Sequence, residues 1–273
     1  NQELALAPLS EAQPIIEKLY GTNHTEHIIV LNKLGTVLTK SGRTAEAKAI
    51  YRQIVEIHAK LPVKPTKEMI LAYLGLAELK RRNGEYGRAD SIYQALIATY
   101  YPDKNHVDAN YLLTLNNLAA LKQTQGQLAA ARDVMKTGLA ATKSINGQSS
   151  LAYGEALENL ALLRMRLGDL SPVKAELDSC LMIYKSVAGI RSAYYADGML
   201  SMGRYFQITG DYTKAEPYLK GARDILKTTN GPQSASYAAS LNSLALLYQT
   251  LGNYGDAGQL LQEARSIFEK LYG

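Results

Sequence analysis

Apolar side chains return along this chain at one fixed interval. Leu34, Leu76, Leu118, Leu160, Met202 and Leu244 stand 42 residues apart, and each is followed by a small residue: Gly35, Ala77, Ala119, Ala161, Gly203 and Ala245. Glycine follows eight positions after each apolar residue, at 42, 84, 126, 168, 210 and 252. Five residues later comes a second small column: Ala47, Ala89, Ala131, Val173, Ala215 and Ala257. A period of this length marks a repeat architecture. Within one unit the apolar positions keep helical spacing, as at Leu241, Leu244, Leu247 and Tyr248. Each unit is therefore predicted to be a helix, a glycine-centred turn and a second, antiparallel helix. The glycine ends the first helix in the left-handed conformation, where a Cβ is unfavourable. The small columns let the paired helices approach, and the Leu and Tyr columns fill the space between repeats. Asp211 and Thr213 mark the start of a second helix.

The same register extends to both ends. Ala5, Leu9, Ala12 and Ile15 match Ala257, Leu261, Ala264 and Ile267, and the run KLYG closes both 18–21 and 270–273. The expected organisation of residues 1–273 is a single array: a second helix at 1–21, then repeats at 22–63, 64–105, 106–147, 148–189, 190–231 and 232–273. Pro8 and Pro14 predict a shortened first stub, capped by Ser10 with Gln13. Neither end carries a polar cap, so the array is expected to continue beyond both, and self-association through the uncapped ends is expected at Ile267, Phe268 and Leu271.

The spacing of small and apolar residues around each glycine resembles the tetratricopeptide repeat. The 42-residue version, with LNNLAAL at 115–121 and LNSLALLYQTLGNYGDA at 241–257, is similar to the repeats of kinesin light chains. The resemblance covers the whole chain. It implies an all-α fold, a right-handed superhelical solenoid of antiparallel helix pairs whose concave wall is made by the first helices. It also implies a scaffold that binds a protein or peptide in that groove, or the regulatory arm of a larger signalling or protease-like effector.

In that resemblance the groove-facing positions lie 13, 10, 9 and 6 residues before each glycine. They contain Asn32, Lys33, Asn116, Asn117, Glu155, Glu158, Asn159, Asp197, Arg204 and Asn242. Asn is a poor helix-interior residue, so its recurrence on one face calls for a reason. A free side-chain amide can hold the main chain of an extended peptide; the bland alternative is that these amides bond one another or water. Glu155, Glu158 and Asp197 are either a pocket for a basic side chain or, through Glu158 and Arg204, an internal ion pair. Lys40, Arg81, Arg82 and Arg166, near the ends of first helices, are either a basic rim or partners of the helix dipole.

Composition narrows the function classes. With 47% hydrophobic and 20% charged residues the chain can build a sizeable core, and a net charge of +5 over 273 residues gives no strong field for nucleic acid. A single cysteine, Cys180, leaves no intrachain disulfide or multi-cysteine metal site and falls in a core column. The four histidines are scattered, and His24 and His27 are best explained by capping and solvation at a helix start. No catalytic residue, cofactor or metal is expected, nor a membrane segment, and the setting expected is cytoplasmic.

Overall fold

The computed structural model describes residues 3–60, 66–101 and 107–273. Among them are thirteen helices and no strand: α1 (Glu3–Tyr20), α2 (Thr25–Lys40), α3 (Thr44–Ala59), α4 (Lys67–Arg82), α5 (Tyr86–Tyr100), α6 (Ala109–Thr124), α7 (Leu128–Asn146), α8 (Leu151–Leu167), α9 (Val173–Val187), α10 (Ala193–Ile208), α11 (Tyr212–Thr229), α12 (Ala235–Thr250) and α13 (Tyr254–Tyr272). The fold is the expected all-α solenoid of paired helices. The pairs α2–α3, α4–α5, α8–α9, α10–α11 and α12–α13 pack together, and first helices also touch the next first helix, α2 on α4 and α4 on α6, then α8 on α10 and α10 on α12. The helices gather into two compact units, Asn1–Ala141 and Thr142–Gly273, with the division inside α7.

Every turn glycine of the 42-residue column has positive φ, between 72° and 80°. At Gly42 the hydrogen bonds explain why: Arg43 N–H donates to the Leu38 carbonyl at 2.9 Å and Gly42 N–H to Thr39, the doubled pattern that closes a helix end. Glycines at 21, 147, 189, 231 and 273 form a second left-handed column after the second helices. At 63 and 105 the sequence has Val63 and Asn105 instead, and both lie outside the described residues.

A third column sets the starts of the first helices. Thr66, Asp108, Ser150, Ser192 and Ser234 recur every 42 residues, and each side chain accepts the backbone N–H three residues on. Such caps contribute about 1 kcal/mol apiece and fix where each helix begins. The expected cap at Asp211 is also present, accepting from Lys214 N–H.

One expectation about the ends is corrected outright and a second at one residue, Ile267. α1 runs unbroken through Pro8 and Pro14, so Ser10 is an interior residue and not a cap. An interior proline costs about 3 kcal/mol, and packing of Leu6 and Leu9 against the α2 and α3 core offsets it. At the other end Ile267 is only 2% exposed, sealed by α11 and α12, whereas Phe268 is half-buried and Leu271 is 46% exposed.

The core follows the predicted columns. In the first unit Leu31, Leu34, Ile54 and Tyr51 pack with Met69 and Leu79, and a second cluster joins Leu74, Tyr93, Leu115 and Leu118. In the second unit Leu177, Met202, Leu219 and Leu244 form one cluster and Ala222, Leu226, Tyr237 and Ile267 another.

Candidate functional site

In the first unit the first helices line an open cavity of about 610 Å³. Its wall takes Asn32, Lys33, Thr36 and Val37 from α2, Leu71, Leu74, Gly75 and Glu78 from α4, and Leu113 and Asn117 from α6, closed by Leu9 and Tyr51. Three of the four groove residues predicted for this unit, Asn32, Lys33 and Asn117, meet here; Asn116 is exposed on the same helix but outside the cavity wall.

The amides are not equivalent. Asn32 is buried, and its Nδ2 donates to the backbone carbonyl of Glu68 in the first turn of α4. That amide ties one repeat to the next, so its hydrogen-bonding capacity is largely spent inside the fold. Asn117 is half-buried and Asn116 exposed, and neither has a hydrogen-bond partner among the described residues. Lys33 is exposed and has no carboxylate within ion-pair distance among them. The basic residues behind the wall behave differently. Arg81 and Arg82 both clasp Glu78, each Nε 2.7 Å from one of its oxygens, and the Arg81 hydrogen bond holds the Glu78 carboxyl below its usual range. Two of the four residues of the supposed rim are therefore engaged with an acid of the cavity wall.

The aromatic in this wall occupies a slot made by two glycines. A Cβ on Gly35 would lie 2.7 Å from Tyr51 Cε1, and one on Gly75 would lie 2.5 Å from Tyr51 Cζ. Gly75 stands in the predicted groove column nine before the turn, and the ring explains why no side chain fits there.

The second unit presents acid on the equivalent face. Glu158 is half-buried and bonded through both oxygens, accepting from Tyr184 Oη at 2.9 Å and from Ser201 Oγ at 2.6 Å. Burial raises its carboxyl above the ordinary value. Arg204 is exposed and makes no ion pair with Glu158 among the described residues, though its charge partly offsets the rise; the hydrogen bonds of this acid come from the two hydroxyls. Asp197 is open to solvent yet enclosed by protein on most sides; that desolvation, then the Glu158 charge, pushes its carboxyl up to about 6. Glu155, Asn159 and Asn242 are exposed and have no hydrogen-bond partner among the described residues.

Models of the tetratricopeptide repeat match residues 3–60 and 194–270, and further models of the same repeat match 112–151 and 71–103. The chain belongs to the tetratricopeptide repeat family. No curated protein sequence matches it. Among solved structures, this tetratricopeptide array is similar to a Podospora anserina putative kinesin light chain with nearly identical repeats, at 20% identity and a TM-score of 0.61, covering 73% of this chain and 94% of that one. It is also similar to the apo form of RapI, at 14% identity and a TM-score of 0.73, covering 99% and 73%. The apo quorum sensor NprR from B. thuringiensis gives 14% identity and a TM-score of 0.71, covering 98% and 71%. At these identities the likeness is one of fold.

Cys180 and the two histidines at the start of α2 take local structural roles. Cys180 is buried, and desolvation pushes its thiol up to about 12, far from the thiolate a nucleophile needs. His24 caps α2, accepting the Glu26 N–H. His27 is not solvated as expected: it is fully buried, donates from Nδ1 to the Thr22 carbonyl at 2.9 Å and sits 3.3 Å from the Gln13 amide. Among the described residues no group of three or more His, Cys, Asp or Glu is placed to hold a metal, and no helix is long and apolar enough to cross a membrane.

Proposed function

We propose that this tetratricopeptide array is a scaffold that holds a segment of a partner protein against the face made by its first helices. The observation that carries the reading is the first-unit cavity, with leucines in its wall and amide and ammonium groups that the fold leaves unpaired. Ligand sites are concave, mostly apolar and furnished with a few convergent polar groups, and Asn117 and Lys33 fit that role. In the second unit, taken by itself, Glu155, Asn159, Asp197, Arg204 and Asn242 are the corresponding first-helix positions of the proposed reading. Asn32 and Glu158 serve it indirectly, by fixing one first helix to the next.

The test is a peptide array tiled over candidate partner proteins, followed by titration of a bound peptide against the full chain. Replacing Asn116 and Asn117 together with Ala should weaken that peptide at least about tenfold, because each lost interfacial hydrogen bond costs about 1–3 kcal/mol. Replacing Arg81 and Arg82 would free the Glu78 carboxylate in the cavity wall, so the helix-end control is Lys40→Gln, which should alter only the salt dependence. Unchanged affinity in the first variant with loss in the second would move the binding surface from the cavity wall to the helix ends.

A further inference from the structure

One hydroxyl of the first unit is sealed inside the fold with nothing to bond. Tyr93, on α5, is fully buried, and its Oη has no hydrogen-bond partner among the described residues. A buried donor left unpaired costs the fold its desolvation with nothing in return. Three other buried tyrosines escape that cost by donating to a carboxylate at 2.9 Å: Tyr101 to Asp108, Tyr184 to Glu158 and Tyr237 to Glu263.

Tyr93 has a carboxylate in its surroundings as well, but that group is engaged elsewhere. The ring shares one core cluster with Leu74 and Ala77 of α4, and the next residue of that helix is Glu78. Burial, then the negative charge of Glu78, pushes the Tyr93 hydroxyl up to about 12. Both Glu78 oxygens are held by arginines: Arg81 donates from Nε at 2.7 Å and from Nη2 at 2.9 Å, and Arg82 from Nε at 2.7 Å. Arg82 is 55% exposed and Arg81 30%, so water and salt reach this clasp and screen it. A bond from Tyr93 would form in the sealed interior, where screening is weak. Because Glu78 also stands in the wall of the first-unit cavity, its position decides whether that wall carries an acid.

We propose that Glu78 is a two-position latch in the cavity wall, clasped by Arg81 and Arg82 in one position and accepting from Tyr93 Oη in the other. Whatever draws the arginines off, salt or an anionic group of a partner, hands the carboxylate to the tyrosine and withdraws it from the wall. The latch is a property of the fold and does not depend on which segment the cavity receives.

The test uses the full chain labelled at the tyrosine Cζ carbon, whose magnetic resonance signal reports hydrogen bonding of the phenol. Tyr93→Phe and Tyr184→Phe identify their own signals by loss, and Tyr184, which donates to Glu158, marks the bonded position. Arg81→Gln together with Arg82→Gln should move the Tyr93 signal towards that position, and adding Glu78→Ala should cancel the movement. Raising salt on the parent chain should move the signal the same way, and this arm decides if the arginine variant does not fold. Hydrogen exchange gives a second readout. Tyr93→Phe should not raise the opening constant of the first unit in the parent, but should raise it at least about fivefold in the arginine variant, the loss of one hydrogen bond. A Tyr93 signal that stays in place in the folded arginine variant overturns the latch. So does a movement that survives Glu78→Ala, or an equal effect of Tyr93→Phe in both backgrounds.

Discussion

Each unit wedges one tyrosine of a second helix between glycines of the two flanking first helices, but the hydroxyl meets a different fate. Tyr51, nine residues after its turn glycine, lies against Gly35 and Gly75 with its hydroxyl unpartnered beside the cavity. Tyr184, sixteen after its own, lies against Gly154 and Gly198 and donates to Glu158. The two positions are seven residues apart in the repeat frame, two helical turns along one face. The second unit has used its aromatic to hold an acid and join two repeats; the first has left the same kind of group open. The Tyr184 hydroxyl is spent inside the fold, whereas the Tyr51 hydroxyl has no partner among the described residues and stays open to water at the cavity.

The sharpest way to break that comparison is to delete the rings. Tyr184→Ala removes a fully buried ring and a hydrogen bond to Glu158, and should destabilise the second unit by about 3–5 kcal/mol, read as lost amide protection in that unit by hydrogen exchange. Protection that stays intact would mean the ring is not a keystone of the unit.

Filling a slot is the next test. Gly75→Ala forces a methyl onto the Tyr51 ring, and a buried ring between two helices has little room to move, so a loss of about 1–3 kcal/mol is expected in the first unit alone. The double variant Gly75→Ala with Tyr51→Leu should recover part of it; failure to recover would assign the loss to the backbone.

Hydroxyl deletion then separates the units directly. Tyr184→Phe should cost about 1–3 kcal/mol because Glu158 loses a donor, whereas Tyr51→Phe should lie within about 0.5 kcal/mol of the parent. Comparable losses measured by chemical denaturation would show that Tyr51 has an acceptor in solution.

The smallest effect is electrostatic. Asp197 titrates near 6 in the fold against an ordinary value of 3.8. Between those values the native state holds more protons than the unfolded chain, so stability falls as pH rises through the window from about 4 to 6. Asp197→Asn should flatten that slope and raise stability at pH 7 by less than about 1 kcal/mol, since the group is open to solvent and screened. A slope that survives the substitution would place the titration on Glu158.

Much of the fold was legible because backbone requirements leave residue signatures. A left-handed turn needs glycine at 42, 84 and onward, and close helix contact needs Ala47, Ala77 and their equivalents, so a fixed period read as paired helices. The cap column from Thr66 to Ser234 was equally open to view and would have placed the helix starts. The candidate face was legible only as a set of positions. Asn32 and Asn117 share a residue type and a helix face, yet one is bonded to Glu68 and the other is free. Glu158 and Arg204 looked like a salt bridge by spacing, but two hydroxyls from Tyr184 and Ser201 reach the acid first.

The sequence by itself determined the helix pairs, their turns, their core columns and the family, because these depend on local conformation and on burial patterns that repeat with the chain. Only the tertiary structure decided which polar groups are spent and which are left over. That depends on contacts between side chains far apart in sequence, such as Ser201 on Glu158 across 43 residues. No period in a single chain specifies whether two such atoms end within hydrogen-bonding distance, since that is set by how closely neighbouring helices pack around residues as small as Gly35 and as large as Tyr51.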